Sequence, residues 1–223
     1  MAALDRTPKA EQRERARARR QTFWQDAKNL PNLLTFARIL MIPGVLVLLS
    51  QGNPRACLWA AVVYALAAIT DALDGWIARR QGLVSVLGKF LDPLADKLIV
   101  AATLVWLVPM GRIPAWAVVL LLCREITITA LRSIASAEGI IIAAGDGGKA
   151  KTALQMVGII CLILGYPYRL HFGYDFGVVD LVHVGRMLVY LSLIFSITSA
   201  LKYLGLFVDA IDAEKKPPHD GAS

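Results

Sequence analysis

Four aspartates in one short segment, flanked by apolar runs, constrain this chain more than any other feature of its sequence. The segment reads DALDGWIARRQGLVSVLGKFLDPLADK and carries Asp71, Asp74, Asp92 and Asp96. A single unpaired acid inside a bilayer costs about 2.5–3.5 kcal/mol, even on the lenient insertion scale. Four acids together therefore require a cation or a water-filled cleft.

The spacing of these acids indicates which cation they bind. Asp71 and Asp74 share one face of a helix, and Asp92 and Asp96 share one face of the next helix. Two such pairs facing each other form a cage of oxygen ligands, which suits Mg²⁺ or Mn²⁺ better than a soft metal. Because four negative charges exceed what one divalent ion neutralises, the pattern favours two ions. The competing interpretation is that the acids are solvated at helix ends or paired with the neighbouring basic residues Arg79, Arg80, Lys89 and Lys97.

Composition and charge place the whole chain in a membrane. Its 223 residues are 57% hydrophobic, with a mean hydropathy of +0.55, which exceeds what a soluble domain of this size carries. The net charge of +7 comes largely from the N-terminal arm and from segments between apolar runs. This distribution indicates anionic membrane lipids as partners and argues against nucleic acid.

The apolar runs predict an all-α integral membrane protein with six transmembrane helices. Each run is long enough to cross a hydrocarbon core of ~30 Å. A basic N-terminal arm over residues 1–30 is expected to form an amphipathic interfacial segment, followed by a membrane domain over 31–208 and a tail over 209–223. The predicted helices lie near residues 33–51, 55–79, 86–109, 113–137, 149–166 and 178–207.

The distribution of lysine and arginine predicts the orientation. The arm, the 79–89 connection, the 138–151 connection and the tail are basic and fall on one side of a six-helix topology. We therefore expect both termini and the acidic site to face the cytoplasm, in a multi-pass protein of the inner membrane. The opposite loops carry only Arg55, Arg112 and Arg169.

The acidic segment also carries a resemblance. The pattern D-x2-D-G-x2-A-R-x8-G-x3-D-x3-D resembles the signature of the CDP-alcohol phosphatidyltransferase family at all eight fixed positions. The resemblance implies a reaction in which a CDP-linked lipid donates its phosphatidyl group to an alcohol and CMP leaves. It also implies a homodimer. The matching residues are Asp71, Asp74, Gly75, Ala78, Arg79, Gly88, Asp92 and Asp96.

The same resemblance implies roles for these residues. Asp71, Asp74 and Asp92 are expected to be metal ligands, and Asp96 is expected to bind metal and to act as general base. The small residues Gly75 and Ala78 are expected to let a bulky ligand approach the helix, since in the family they border the cytidine moiety. The competing interpretation is close packing of this helix against another. On the nucleotide and donor side the resemblance further implies Asn32, Thr35, Arg38, Arg79 and Gly88.

Segments 29–43, 124–136 and 148–156 resemble the bacterial branch of this family whose acceptor is glycerol 3-phosphate. The implied activity transfers the phosphatidyl group from CDP-diacylglycerol to glycerol 3-phosphate, giving phosphatidylglycerophosphate and CMP in phospholipid biosynthesis. A dianionic phosphate requires cations in its pocket. The candidate residues are Arg124, Arg132, Lys149 and Lys151.

Several alternatives stay open at this stage. Another acceptor of the same family, such as inositol phosphate, serine or phosphatidylglycerol, is the runner-up, and the basic residues argue against the last two. Lys149 and Lys151 taken singly are equally well explained as ordinary positive-inside flanking residues. A divalent-cation transporter would also keep acids in the membrane, but it would place them at mid-bilayer in broken helices rather than beside a basic connection.

Overall fold

A computed structural model describes the backbone of residues 30–81, 86–137, 147–171 and 175–215, and side chains within 33–70, 91, 94–137, 151–167 and 179–211. Over these residues the chain forms six α-helices and one two-stranded hairpin. The helices are α1 (Leu30–Ser50), α2 (Pro54–Gln81), α3 (Val86–Leu107), α4 (Ala115–Ala137), α5 (Gly147–Leu164) and α6 (Leu181–Lys215).

Six helices are present at the predicted places among the described residues, whereas the prediction that all six cross the membrane stays a prediction. Five of the six helices begin and end within three residues of the predicted bounds. The sixth begins three residues later than predicted and continues to Lys215, eight residues past the predicted end at residue 207. The N-terminal arm, as far as residue 29, lies outside the described residues.

A short antiparallel hairpin, not predicted from the sequence, connects α5 to α6. Strand β1 (Pro167–His171) pairs with β2 (Asp175–Asp180), and the register is irregular between Arg169 and His171. The Asp180 carboxylate then accepts hydrogen bonds from the backbone N–H groups of Val182 (2.9 Å) and His183 (3.3 Å). Asp180 is therefore the N-cap of α6, because it satisfies donors that have no partner within the helix.

Long apolar helices with exposed apolar side chains support a membrane protein. By length and composition two helices contain a segment able to cross a bilayer, Leu33–Ser50 in α1 and Leu181–Ile211 in α6, among the residues whose side chains are described. Shorter apolar segments are Pro54–Thr70 in α2 and Lys151–Leu164 in α5. Large apolar side chains such as Leu40 are exposed along these helices. Exposed apolar surface of this extent is the face that a membrane protein turns to lipid.

The chain divides into two compact units. The first comprises residues 1–47 and 62–102, and the second comprises residues 48–61 and 103–223. Tyr64 and Ile99 belong to the core of the first unit. In the second unit, core residues come from several helices and from the segment before α4; they include Cys57, Leu107, Ile113, Leu121, Ile159, Leu162 and Val189.

In the second unit, Arg112 caps the C-terminus of α5. Its guanidinium donates to the carbonyl oxygens of Leu162 (3.0 Å) and Ile163, and it lies 5.4 Å from the ring centroid of Tyr166. The last carbonyls of a helix have no partner within the helix, so a cation placed there satisfies them and complements the helix dipole. By its sequence position Arg112 is a loop residue, but its side chain is buried, with 6% of the residue exposed.

Gly165 makes room for this cap. Its φ of +58° lies in the left-handed region, and a Cβ built on it would overlap the guanidinium of Arg112. Only glycine fits both requirements without strain. The end of α5 and the segment before α4 are thus fixed to each other by one buried arginine.

Candidate functional site

The four aspartates of the signature lie on α2 and α3 in the first unit. Backbone over Asp71–Asp74 and Asp92–Asp96 is helical, so each pair is in the i, i+3 or i, i+4 register that places both residues on one helix face. Carboxylates in this register fit the donor chemistry of a hard divalent cation. Among the side chains that the structure describes there is no group of three or more potential metal ligands, but only Asp96 of the four belongs to that set.

Asp96 is half-buried on α3. Its carboxylate acts electrostatically on the phenol of Tyr64, which is buried on α2 two turns before Asp71. The Tyr64 hydroxyl has no hydrogen-bond partner among the described residues. The last acid of α3 is therefore within electrostatic reach of a residue on the helix that carries the first two acids.

The residues expected on the nucleotide side fall in the same unit. Thr35 and Arg38 lie one turn apart on α1, and both are buried. A guanidinium buried in a membrane protein is costly and therefore marks a candidate functional position. The remaining expected residues are in α1, α2 or α3, but their side-chain placement lies outside the described part of the chain: Asn32, Gly75, Ala78, Arg79 and Gly88.

In the second unit, an ion cluster joins two of the predicted acceptor cations through a carboxylate. Glu125 of α4 accepts with Oε1 from Arg124 Nη1 at 2.8 Å and from Lys151 Nζ of α5. The side chains of Arg124 and Lys151 are 12% and 9% exposed, whereas that of Glu125 is 27% exposed. Arg124 Nε also donates to the carbonyl oxygen of Ser196 on α6 at 3.0 Å. The cluster therefore ties α4, α5 and α6 together.

Arg132 extends this cluster towards the C-terminus of α4. Its guanidinium carbon lies 5.5 Å from the ring centroid of Tyr203 on α6, and it acts electrostatically on Lys151. The side chain of Lys149 lies outside the described residues. The structure thus brings Arg124 and Lys151 together and places Arg132 within electrostatic reach of them. These three cations and Glu125 carry a formal net charge of +2.

Glu125 was not predicted as a site residue. It follows Arg124 directly in the segment REITITALRSIAS, whose arginines were the candidates for the acceptor phosphate. The signal was nevertheless present, because an ionisable residue inside an apolar helix is itself a marker of function. The backbone acceptor on Ser196 and the ring of Tyr203 could not have been found this way, since they reach the cluster only through the packing of α6.

Comparison with known proteins places this chain in a family. A model of the CDP-alcohol phosphatidyltransferase family matches residues 28–198, a range that contains both the acidic segment and the ion cluster. The chain therefore belongs to the CDP-alcohol phosphatidyltransferases, as the signature predicted.

The chain is also similar to individual proteins of this family. The chain is 39% identical over 155 residues to the CDP-diacylglycerol–glycerol-3-phosphate 3-phosphatidyltransferase of Bacillus subtilis (strain 168), covering 64% of this chain and 80% of the relative. It is 34% identical over 176 residues to the enzyme of the same name from Rickettsia typhi, covering 79% of this chain and 95% of the relative. A probable phosphatidylglycerophosphate synthase of Mycobacterium tuberculosis (strain H37Rv) is 39% identical over 148 residues, covering 64% of this chain and 69% of the relative.

Proposed function

We propose that this protein transfers the phosphatidyl group of CDP-diacylglycerol to glycerol 3-phosphate, forming phosphatidylglycerophosphate and releasing CMP. The observation that carries the proposal is the cluster of Arg124, Glu125 and Lys151, with Arg132 nearby, in a chain whose relatives bear the name of this enzyme. A cluster of net positive charge among membrane helices binds an anionic acceptor more tightly than a neutral one.

On the donor side, the proposal assigns metal binding to the four aspartates. Asp71, Asp74 and Asp92 would hold the ions, with Asp96 as a further ligand. Mg²⁺ or Mn²⁺, in two sites, supplies neutralisation of the donor's diphosphate when bound. Asp96 takes the proton of the attacking hydroxyl, whose oxygen bonds to the lipid-bearing phosphorus while the phosphoanhydride bond to CMP breaks.

Other residues of the first unit position the donor. Gly75 and Ala78 leave room on α2 for the cytidine, and Arg79 donates to phosphate oxygens. The buried Thr35 and Arg38 support this assignment to the nucleotide side, since a buried cation and hydroxyl suit a polar ligand. Asn32 and Gly88 complete the set that the family resemblance implies.

On the acceptor side, Arg124, Arg132, Lys149 and Lys151 bind the phosphate of glycerol 3-phosphate. A phosphate monoester dianion matches the formal charge of +2 on the described cluster. Serine and phosphatidylglycerol carry no such group. Inositol phosphate does carry one, so the discrimination between it and glycerol 3-phosphate has to be measured.

The proposal includes a topology and an assembly. The chain crosses the inner membrane six times, and both termini and the active site lie on the cytoplasmic side. The distribution of lysine and arginine supports this orientation, and the family resemblance supports a homodimer. The basic arm over residues 1–30 lies along anionic lipid at the membrane surface.

An acceptor panel tests the function directly. The protein in detergent is incubated with CDP-diacylglycerol and Mg²⁺ or Mn²⁺, and each acceptor is scored for CMP release and for the mass of the lipid product. The panel contains glycerol 3-phosphate, inositol phosphate, serine, phosphatidylglycerol and glycerol. Among these acceptors we expect only glycerol 3-phosphate to support CMP release. We expect this activity to be lost when the metal is chelated. A preference for another acceptor would overturn the assignment. Absence of CMP release with every acceptor, together with uptake of the metal ion into sealed vesicles that contain the protein, would indicate the transporter.

A further inference from the structure

Glu125 is the one acid in a cluster that the proposed function uses for binding an anion. Both Arg124 and Lys151 donate to the same oxygen, Oε1, and both cations are nearly buried. Burying two like charges side by side is unfavourable unless an anion lies between them. In the absence of substrate, Glu125 is that anion.

A carboxylate in this position has a second effect. An acceptor phosphate that reaches the same two cations is repelled by Glu125, because charges a few ångströms apart at the edge of a protein interact strongly. Glu125 therefore stabilises the empty site and weakens the binding of the phosphate. Both effects arise from the negative charge of Glu125. A substitution that removes this charge but keeps the shape of the side chain therefore tests the electrostatic effects without changing the packing.

The anchoring of Arg124 allows the exchange of one anion for another. Arg124 Nε is held by the carbonyl oxygen of Ser196, which is independent of Glu125. The guanidinium thus stays in place when Nη1 changes its partner from carboxylate to phosphate. The residue that anchors Arg124 also carries a buried hydroxyl that has no hydrogen-bond partner among the described residues.

We propose that Glu125 is the built-in counter-anion of the acceptor-phosphate site, an inference that rests on the proposed function. It positions Arg124 and Lys151 in the empty enzyme and keeps phosphate affinity low enough for the product to dissociate. The product retains the phosphate monoester of the acceptor, so a site that bound this group too tightly would be inhibited by its own product. Glu125 is a positioning residue that sets specificity, and it makes no contact with the reacting atoms.

The decisive variant is Glu125→Gln, which keeps the size and one oxygen acceptor but removes the charge. We expect the dissociation constants of glycerol 3-phosphate and of inorganic phosphate to fall about tenfold. We expect kcat to fall as well, with stronger inhibition by added phosphatidylglycerophosphate, because release becomes slower. Glu125→Asp keeps the charge and should bind phosphate with nearly the parent's affinity.

Asp180→Asn is the matched control. It also removes one carboxylate, but at the N-cap of α6, sixteen residues and roughly 24 Å along the helix from Ser196. Asparagine is an equally good N-cap, so the helix end is preserved. The affinity for phosphate should be that of the parent.

Thermal unfolding keeps the test valid if Glu125→Gln is unstable. Anion binding raises the unfolding temperature by an amount that grows with affinity. Inorganic phosphate should therefore raise the unfolding temperature of Glu125→Gln by more than it raises that of the parent. A smaller or equal rise, or an affinity for glycerol 3-phosphate that is unchanged or weaker in Glu125→Gln, would show that Glu125 is only a structural tie. If the parent itself neither binds nor uses glycerol 3-phosphate, it is the proposed function that fails, and this site with it.

Discussion

Gly158 of α5 and Gly185 of α6 lie so close together that a Cβ on Gly185 would be 2.8 Å from the carbonyl oxygen of Gly158. A Cβ on Gly158 would in turn lie 2.9 Å from Cγ2 of Val189. Small residues at such a crossing let two membrane helices approach with their backbones in contact. Because α5 carries Lys151 and α6 carries the carbonyl of Ser196, this crossing helps to set the geometry of the ion cluster.

Gly185→Ala tests the importance of the crossing. The added methyl group has no space, so we expect a loss of stability of about 1–3 kcal/mol, measured by thermal unfolding in detergent. Gly205→Ala is the control on the same helix, because no atom lies within 4 Å of its Cβ position. The control should be neutral or more stable by roughly 0.5–1 kcal/mol, since alanine favours helix over glycine. Equal destabilisation by both changes would contradict the close crossing.

Arg112→Lys tests the cap of α5. In the guanidinium, Nη1 donates to the carbonyl oxygens of Leu162 and Ile163, while Nη2 donates to Cys57 Sγ at 3.3 Å. Lysine keeps the charge, but its single ammonium nitrogen cannot make all these bonds, and it has no planar group to lie over Tyr166. Loss of one charge-assisted hydrogen bond predicts a decrease in the free energy of unfolding of about 1.5–3 kcal/mol. Arg55→Lys, at an exposed position, should leave stability unchanged. An Arg112→Lys protein as stable as the parent would show that the guanidinium bonds contribute little.

Asp92→Asn and Asp96→Asn test the proposed metal and base roles. Both changes keep the side-chain shape, so the helices should persist while CMP release collapses, for Asp96 by roughly 10²–10⁴-fold as expected for loss of a general base. Folding is checked by thermal unfolding, and Asp180→Asn again serves as the control for the loss of one carboxylate. Near-normal turnover of Asp92→Asn at low Mg²⁺ would exclude it as a metal ligand.

The positions of the helices and the placement of each aspartate pair on one helix face were predictable, because local sequence determines both. Each apolar run is long and is bounded by glycine or proline breakers such as Gly52 and Pro167, and helical spacing alone puts Asp71 and Asp74 on one face. The hairpin after α5 was not predicted, because two short strands carry too few residues for an alternating pattern to stand out.

The roles of Arg112 and Glu125 were not predicted, because they depend on tertiary contacts. Arg112 is a loop residue by sequence and becomes a buried cap only because the C-terminus of α5 lies against it. Glu125 acquires its position between Arg124 and Lys151 through the packing of α4 against α6 and of α5 against α6. The hydrophobic periodicity of the sequence does not indicate which carbonyl or carboxylate group a cationic side chain contacts in the folded protein.

The orientation of the chain stays a prediction that cysteine labelling can check. Ser85→Cys, in a background without the three native cysteines, places a probe in the connection between α2 and α3. The lysine and arginine distribution predicts that a membrane-impermeant maleimide labels it only in vesicles whose cytoplasmic face is outward. Labelling from the periplasmic side alone would reverse the proposed topology and the access of soluble substrates.

Arg132→Gln separates acceptor binding from stability. Arg132 is exposed over Tyr203, a contact that contributes only about 0.5–1 kcal/mol, so unfolding should change little. If its charge binds the acceptor phosphate, the KM for glycerol 3-phosphate should rise about ten- to a hundredfold, the range expected for one charge-assisted contact. The KM for CDP-diacylglycerol should change much less, because the proposal assigns its diphosphate to the metal ions and Arg79.

Lys202→Gln is the control for Arg132→Gln. It removes one exposed cation next to Tyr203 on α6, and its kinetics should match the parent's. An equal rise in KM for both variants would reveal a general attraction of the basic surface for anions. Unchanged glycerol 3-phosphate kinetics in Arg132→Gln would remove Arg132 from the acceptor site and leave Arg124, Lys149 and Lys151 as its cations.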